Sequence, residues 1–185
     1  GSSGNAYLVQ HGETALLIDA GISGRRLDLM LRHEGIVPGL LNGILVTHEH
    51  ADHIRGVAQI ARKFGAPLYG SLGTLRAMGL SHQLDWRSIS TGEPVAMGSL
   101  DVIPIGVPHD AAEPLVYRIQ CAGASLAIAT DFGSPTPELE SAFRDLDLLV
   151  LEANHDEDWL WRGHYPWSLK KRVASERGHI SNETA

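Results

Sequence analysis

Apolar residues follow two regimes along the chain. In the first half, short apolar runs alternate with segments of helical period. Residues 5–9 read as a first strand, entered from Gly1-Ser2-Ser3-Gly4, which is taken as native chain. Ala15-Leu16-Leu17-Ile18-Asp19-Ala20-Gly21 is an apolar run closed by a turn, the mark of a buried strand. Ser23 can cap a helix in which Leu27, Met30 and Leu31 recur at helical spacing up to Gly35. Gly43-Ile44-Leu45-Val46-Thr47 is a second buried strand, and Ile54, Val57, Ile60, Ala61 and Phe64 line one face of the helix after it. A strand over 66–69 and a short helix over 71–79 follow; residues 81–92 fit neither period. From Pro94 the pattern turns β, with strands over 95–97, 100–107, 115–120 and 125–130. A helix over 135–144, a very apolar strand over 146–153, and helices over 156–161 and 167–177 close the chain.

Strand–helix alternation followed by a β-meander predicts sheets covered by helices, an α/β layered fold. One domain over residues 1–185 fits the length. One echo is visible: Leu16-Leu17-Ile18-Asp19-Ala20-Gly21 resembles Ala127-Ile128-Ala129-Thr130-Asp131-Phe132-Gly133, both apolar runs ending in Asp and Gly. Ser181 reads as the cap of a helix just beginning, which predicts a fragment with further C-terminal structure beyond it.

Composition removes several classes. With 43% hydrophobic and 20% charged residues a packed core is expected. No apolar run reaches the roughly 20 residues that span a bilayer. The single cysteine, Cys121, excludes a disulfide scaffold or Cys-rich zinc module; it fits a reducing, cytoplasmic setting and reads as a small buried residue. The net charge of −7 argues against gripping nucleic acid by bulk charge, but not against reaching phosphates through metal ions.

The chemistry concentrates at His48-Glu49-His50-Ala51-Asp52-His53. Four ligand-type side chains leave a buried strand at its C-terminal end, where sites gather in α/β sheets. A turn there can send His48 and His50 to one ion and Asp52 and His53 to a second. Imidazole and carboxylate suit Zn²⁺, with Mn²⁺ or Fe²⁺ as alternatives. His109, Asp131 and His179 lie at the ends of later elements and are natural complements: His109 for the first ion, His179 for the second, Asp131 bridging.

These residues carry a resemblance. Thr47-His48-Glu49-His50-Ala51-Asp52-His53 resembles the signature of the metallo-β-lactamase-fold hydrolases. Val107-Pro108-His109-Asp110, Ala129-Thr130-Asp131, Leu151-Glu152-Ala153-Asn154-His155-Asp156 and Gly178-His179-Ile180-Ser181-Asn182 resemble its YycJ/WalJ-type subfamily, relatives of ribonuclease Z-like phosphodiesterases. The resemblance implies a four-layer αββα sandwich with a dinuclear metal site. It implies His48, His50, His109 and Asp131 for one ion, and Asp52, His53, Asp131 and His179 for the other. It also implies a 5′→3′ DNA exonuclease in bacterial DNA repair, with nucleic acid as substrate, DNA rather than RNA. Two cations roughly 3.5–4 Å apart bind a bridging water as hydroxide and clamp the attacking and leaving oxygens. In that reading Asp52 is expected to be the ligand that also orients this hydroxide.

Around that set, Asp19 ends a strand and reads as a hydrogen-bond partner of a ligand loop, and Glu152 as a residue that orients a ligand or caps a loop. His155 reads either as a leaving-group acid or phosphate contact, or as a structural histidine. Lys170-Lys171-Arg172 reads as a solvated helix face, with a DNA-backbone contact as the functional alternative. Trp159, Trp161 and Trp167 read as packing rather than as base-stacking platforms, and His11, His33 and His82 as surface. Two rival readings remain: a glyoxalase II-type thioesterase on the same fold, and a non-catalytic metal-binding module. The first surrounds its third-motif His with Pro-Gly-His-Thr, where this chain has Pro108-His109-Asp110. The second should have lost ligands, and all seven are present.

Overall fold

The computed structural model describes residues 3–80 and 84–185, so the readings of His82 and of Gly1 and Ser2 lie outside the described residues. Two five-stranded sheets face each other. The first contains β1 (Tyr7–His11), β2 (Thr14–Ile18), β3 (Gly43–Leu45), β4 (Leu68–Gly70) and β5 (Trp86–Ser88), in that order. Its first pair is antiparallel and the rest parallel. The second contains β6 (Val95–Met97), β7 (Leu100–Gly106), β8 (Leu115–Cys121), β9 (Ala124–Ala129) and β10 (Leu148–Leu151). It is an antiparallel meander up to β9, with β10 added in parallel.

Alternation along the strands builds three apolar layers. Leu16, Ile18 and Leu45 point between the sheets and meet Val102, Tyr117, Ile119 and Ile128 from the second sheet. Leu17, Ile44 and Leu68 point the other way, onto Leu27 and Leu31 of α1 (Gly24–His33) and Ile60 and Phe64 of α3 (Val57–Phe64). On the far side, Ile105, Val116 and Ala129 pack against Phe132, Ile180 and Leu139 of α5 (Pro137–Ala142). Three interfaces make four layers, helix–sheet–sheet–helix, as expected. Tyr117, fully buried, ties the sheets by donating to Val46 O at 2.6 Å.

Several boundaries differ from the sequence reading. The helix read over 54–64 is two, α2 (Ala51–Ile54) and α3, separated at Arg55-Gly56. Gly56 donates to Ala20 O there, and a Cβ would crowd Ile22 O, so the chain breaks where it must pass the end of the first sheet. The ambiguous stretch 81–92 contains β5, which pairs with β4 in parallel. The apolar run 146–153 is an edge strand of four residues, with Leu148 and Leu149 exposed. Ser181 does cap a turn: Thr184 N donates to its Oγ at 3.2 Å and Ala185 N to its carbonyl at 3.1 Å.

Candidate metal centre

The strand ends converge at one edge of the sandwich. β3 delivers Thr47 and His48, and α2 starts at once, with His50 at its N-cap and Asp52 and His53 in its single turn. The loop after β7 brings His109, the end of β9 brings Asp131, and the segment after α7 (Trp167–Val173) brings His179. The loops are interlocked by backbone bonds: Leu115 N to Thr47 O, Gly133 N to Pro108 O, and Asn5 N to Asp52 O, the last at 2.8 Å. Gly21 is required here, because a Cβ would overlap the Asp52 carbonyl.

Among the described residues, three sets of side chains each bring one donor atom apiece to within 4.8 Å of one another: His48, His50 and His109; His48, His53 and Asp131; Asp131, Glu152 and His179. In the first set, His50 Nδ1 lies 3.0 Å from His48 Nε2 and 3.3 Å from His109 Nε2. In the others, Asp131 Oδ2 lies 2.6 Å from His53 Nε2 and Oδ1 3.2 Å from His179 Nδ1. Asp131 is thus common to two sets. Asp52 belongs to none of them; its Oδ2 is 3.9 Å from His53 Nε2 and its side chain is 31% exposed.

The backs of the rings explain their orientation. Buried Asp19 accepts from Thr47 N at 2.8 Å, from Thr47 Oγ1 at 2.8 Å and from His53 Nδ1 at 2.7 Å. Thr47 Oγ1, having given its proton to Asp19, accepts from His48 Nδ1 at 2.9 Å. His109 Nδ1 donates to Gly178 O at 3.0 Å. Each of these rings therefore spends its Nδ1 proton outward and turns Nε2 inward, free to serve as a ligand. Lone pairs facing one another call for a shared cation, so the donor set fits metal ions. Sequence reasoning does not reach the relay through Thr47, nor Asn5, whose Nδ2 lies 2.9 Å from His53 Nε2. It also misses Arg177, which donates twice to His109 O. None carries a ligand-type signature, and only the folded geometry gives them away.

Residues 14–185 match the family described as the Beta-lactamase superfamily domain. The chain belongs to this metallo-β-lactamase superfamily. It is 38% identical over 191 residues to "Exodeoxyribonuclease YycJ" of Bacillus anthracis, covering 100% of this chain and 72% of that protein. It is 38% identical over 189 residues to "Exodeoxyribonuclease WalJ" of Streptococcus pneumoniae serotype 2 (strain D39 / NCTC 7466), covering 99% and 70%. Its fold resembles the crystal structure of Zn²⁺-bound PqqB from Methylobacterium extorquens, with a TM-score of 0.76 at 20% identity over 96% of this chain and 69% of that one. As a metallo-β-lactamase-superfamily hydrolase the chain is an enzyme, and its fold implies divalent metal ions at the His/Asp cluster.

The electrostatics of this superfamily member fit a cation site. Burial, with the charge of His53 added, pulls His48 down to about 2, so its ring is neutral. Burial alone would also lower His53, but its bonds to Asp131 and Asp19 raise it to about 10. His179 is raised to about 9, because Asp131 and Glu152 outweigh its burial. Burial would raise Asp131, yet hydrogen bonds with His179 and His53 hold it below the usual carboxylate range. Without metal, protons on His53 and His179 balance the carboxylates. Metal ions must displace them, so loading zinc at pH 7.5 is expected to release about two protons per chain. The sign follows: apparent affinity climbs with pH until these two rings have lost their protons at about 9 and 10. Calorimetry in buffers of different ionisation enthalpy reads the release; affinity flat from pH 6 to 9 would contradict it.

Other expected site residues are dispersed. Glu152 links two elements, accepting from Phe132 N at 2.8 Å and meeting His179 Nδ1 at 3.0 Å. His155 lies outside all three donor sets; it shares a cavity with His179, and its Nδ1 is buried with no hydrogen-bond partner among the described residues. The basic trio needs correction. Lys170 is buried, its Nζ donating to Trp161 O and Gly163 O at 2.7 Å each, so its ammonium is turned inward and is not offered to a phosphate. Arg172 pairs with Asp110, a carboxylate 3.3 Å from His109 Nε2. Lys171 stands on the exposed face, over the Trp167 ring. The tryptophans read as packing are exposed, Trp159 by 81% and Trp167 by 60%. Cys121 is half-buried at the end of β8 rather than fully buried. Among the described residues no helix is long and apolar enough to cross a membrane.

Proposed function

We propose that the chain is a dinuclear metal-dependent phosphodiesterase that removes nucleotides from DNA ends, a 5′→3′ exonuclease working in the cytoplasm in DNA repair. The observation that carries this reading is the convergence of His48, His50 and His109 on one side with His53, Asp131 and His179 on the other. The relatives named as exodeoxyribonucleases support DNA as the substrate. Two divalent cations, zinc first and manganese or iron as alternatives, would be held by these residues and would supply charge neutralisation of the phosphodiester and a lowered pKa for an attacking water.

The remaining work falls to the side chains. Asp131 holds the two halves together from between them. Asp52, next to His53 and partly open to solvent, aims the attacking water at phosphorus. Asp19 and Thr47 keep the Nε2 atoms of His53 and His48 turned inward. His155 is the candidate proton donor to the leaving oxygen, since its unpartnered Nδ1 sits beside the cavity of His179. Arg172 and Lys171 are the cations of the trio left to meet phosphates, which with a net charge of −7 predicts only shallow loss of DNA affinity with salt.

Protein prepared without chelators and assayed on 5′-labelled single- and double-stranded DNA and RNA tests the reading. Elemental analysis should approach two metals per chain. Cleavage of DNA ends and of a bis-aryl phosphodiester is expected, with no appreciable hydrolysis of a glutathione thioester or a β-lactam. Efficient thioester hydrolysis without phosphodiester cleavage under any metal would overturn it in favour of a glyoxalase II-type enzyme. Activity retained in strong chelator with no bound metal would overturn the metal centre itself.

A further inference from the structure

Beside the metal centre, α6 (Glu157–Arg162) and α7 sort their apolar residues in an unusual way. Aliphatic side chains turn inward: Leu160 is buried, and Leu169 and Val173 are half-buried. Aromatic ones turn outward: Trp159, Trp161, Tyr165 and Trp167 are 81%, 41%, 62% and 60% exposed. The rings of Trp161 and Trp167 lie with centroids 5.3 Å apart, and Lys171 Nζ stands 5.6 Å from the Trp167 centroid. This pair is fastened from beneath. Buried Lys170 donates to the carbonyls of Trp161 and Gly163, joining the end of α6 to α7. The lysine that is lost to phosphate binding therefore holds the aromatic surface in shape.

That surface leads into the site. A polar cavity of about 230 Å³ is lined by His179, His155 and Trp161. His155 also lines the adjoining cavity of about 660 Å³, together with Trp159 and Tyr165. The path runs from a histidine of the metal centre, past an unpartnered imidazole nitrogen, to exposed rings.

We propose that this aromatic surface is the track for a single-stranded stretch of the nucleic-acid substrate, its bases stacking on Trp161 and Trp167 while a phosphate meets Lys171. The inference rests on the phosphodiesterase reading above. Stacking suits this chain because its net charge leaves little for bulk electrostatic grip. Every base has a π-face, so aromatic platforms hold single strands without choosing sequence. Continuity with the cavities that reach His155 and His179 is what points to the substrate rather than to a protein partner.

The test is fluorescence anisotropy with a labelled oligothymidylate, on metal-loaded protein in an Asp52→Asn background that keeps the probe intact. Trp167→Ala should weaken binding by about tenfold to hundredfold, the range for loss of one stacked base. Trp167→Phe should restore most of the affinity, which a merely structural tryptophan would not allow. In the otherwise unaltered enzyme, Trp167→Ala should leave hydrolysis of the small bis-aryl phosphodiester unchanged, since that substrate does not reach the track. Unchanged oligothymidylate affinity in Trp167→Ala, with DNA cleavage by the parent enzyme intact, overturns the track and leaves the phosphodiesterase standing. A parent protein that cleaves no phosphodiester overturns the reading beneath it. A parent dimer that Trp167→Ala dissolves also overturns the track, by assigning the tryptophans to a second copy.

Discussion

Asp52→Ala is expected to abolish turnover and leave the fold intact. The side chain is partly solvent-exposed, and the structural duties of this residue lie in its backbone, whose carbonyl accepts from Asn5 N. Removing the carboxylate therefore creates no core cavity. What it removes is the acidic group beside the His53–Asp131 pair that is open to solvent and able to hold and aim water. Activity on a bis-aryl phosphodiester should fall by at least about 100-fold, in kcat rather than KM, because the loss is one of transition-state stabilisation. Circular dichroism, the melting curve and the metal content should stay near the parent. A variant within a few-fold of parent activity would remove Asp52 from the mechanism. A variant that fails to melt cooperatively would mean that the loop depends on the carboxylate.

The parts legible in the sequence are those in which chemistry and periodicity share a local stretch. His48 to His53 after an apolar strand is such a stretch: His48 and His50 meet His109, His53 meets Asp131, and His48 is common to both groups, while Asp52 joins neither. The echo between residues 16–21 and 127–133 also has a local cause. Asp19 and Asp131 each follow an inner strand of their sheet, and each takes a left-handed backbone, with φ of 58° and 60°. That conformation suits Asp better than most residues, so the same short pattern recurs at two strand ends. What is illegible depends on partners far away in the chain. Lys170 looks like its basic neighbours until the carbonyls of Trp161 and Gly163 take its ammonium inward. Thr47 looks like any strand residue until Asp19, 28 positions earlier, turns its hydroxyl into an acceptor for His48. Composition could not say that the tryptophans face outward, because an aromatic period on a short helix is the same whether it packs or presents.

Asp19 is where fold and metal affinity should come apart under mutation. Its carboxylate, fully buried, satisfies Thr47 N and Thr47 Oγ1 and orients His53 through Nδ1. Asp19→Ala orphans a buried amide and a buried hydroxyl and puts Ala at a left-handed position, so a loss of roughly 3–5 kcal/mol is expected. Asp19→Asn should recover much of that, since Asn tolerates the same backbone and its Oδ1 can still accept from Thr47 N. It should not recover metal binding. The side-chain NH₂ has no lone pair for His53 Nδ1–H, so the ring must move its proton to Nε2, the atom that faces Asp131. The tautomer that fits the amide blocks the donor that fits the metal. Zinc affinity of Asp19→Asn should therefore fall by about 10- to 100-fold while its melting temperature lies much nearer the parent than that of Asp19→Ala. Competition with a chromophoric chelator and a thermal melt read the two quantities separately. Parent-like zinc affinity in Asp19→Asn would show that His53 does not depend on Asp19 for its orientation, and the outward-proton account of the ligand rings would fail with it.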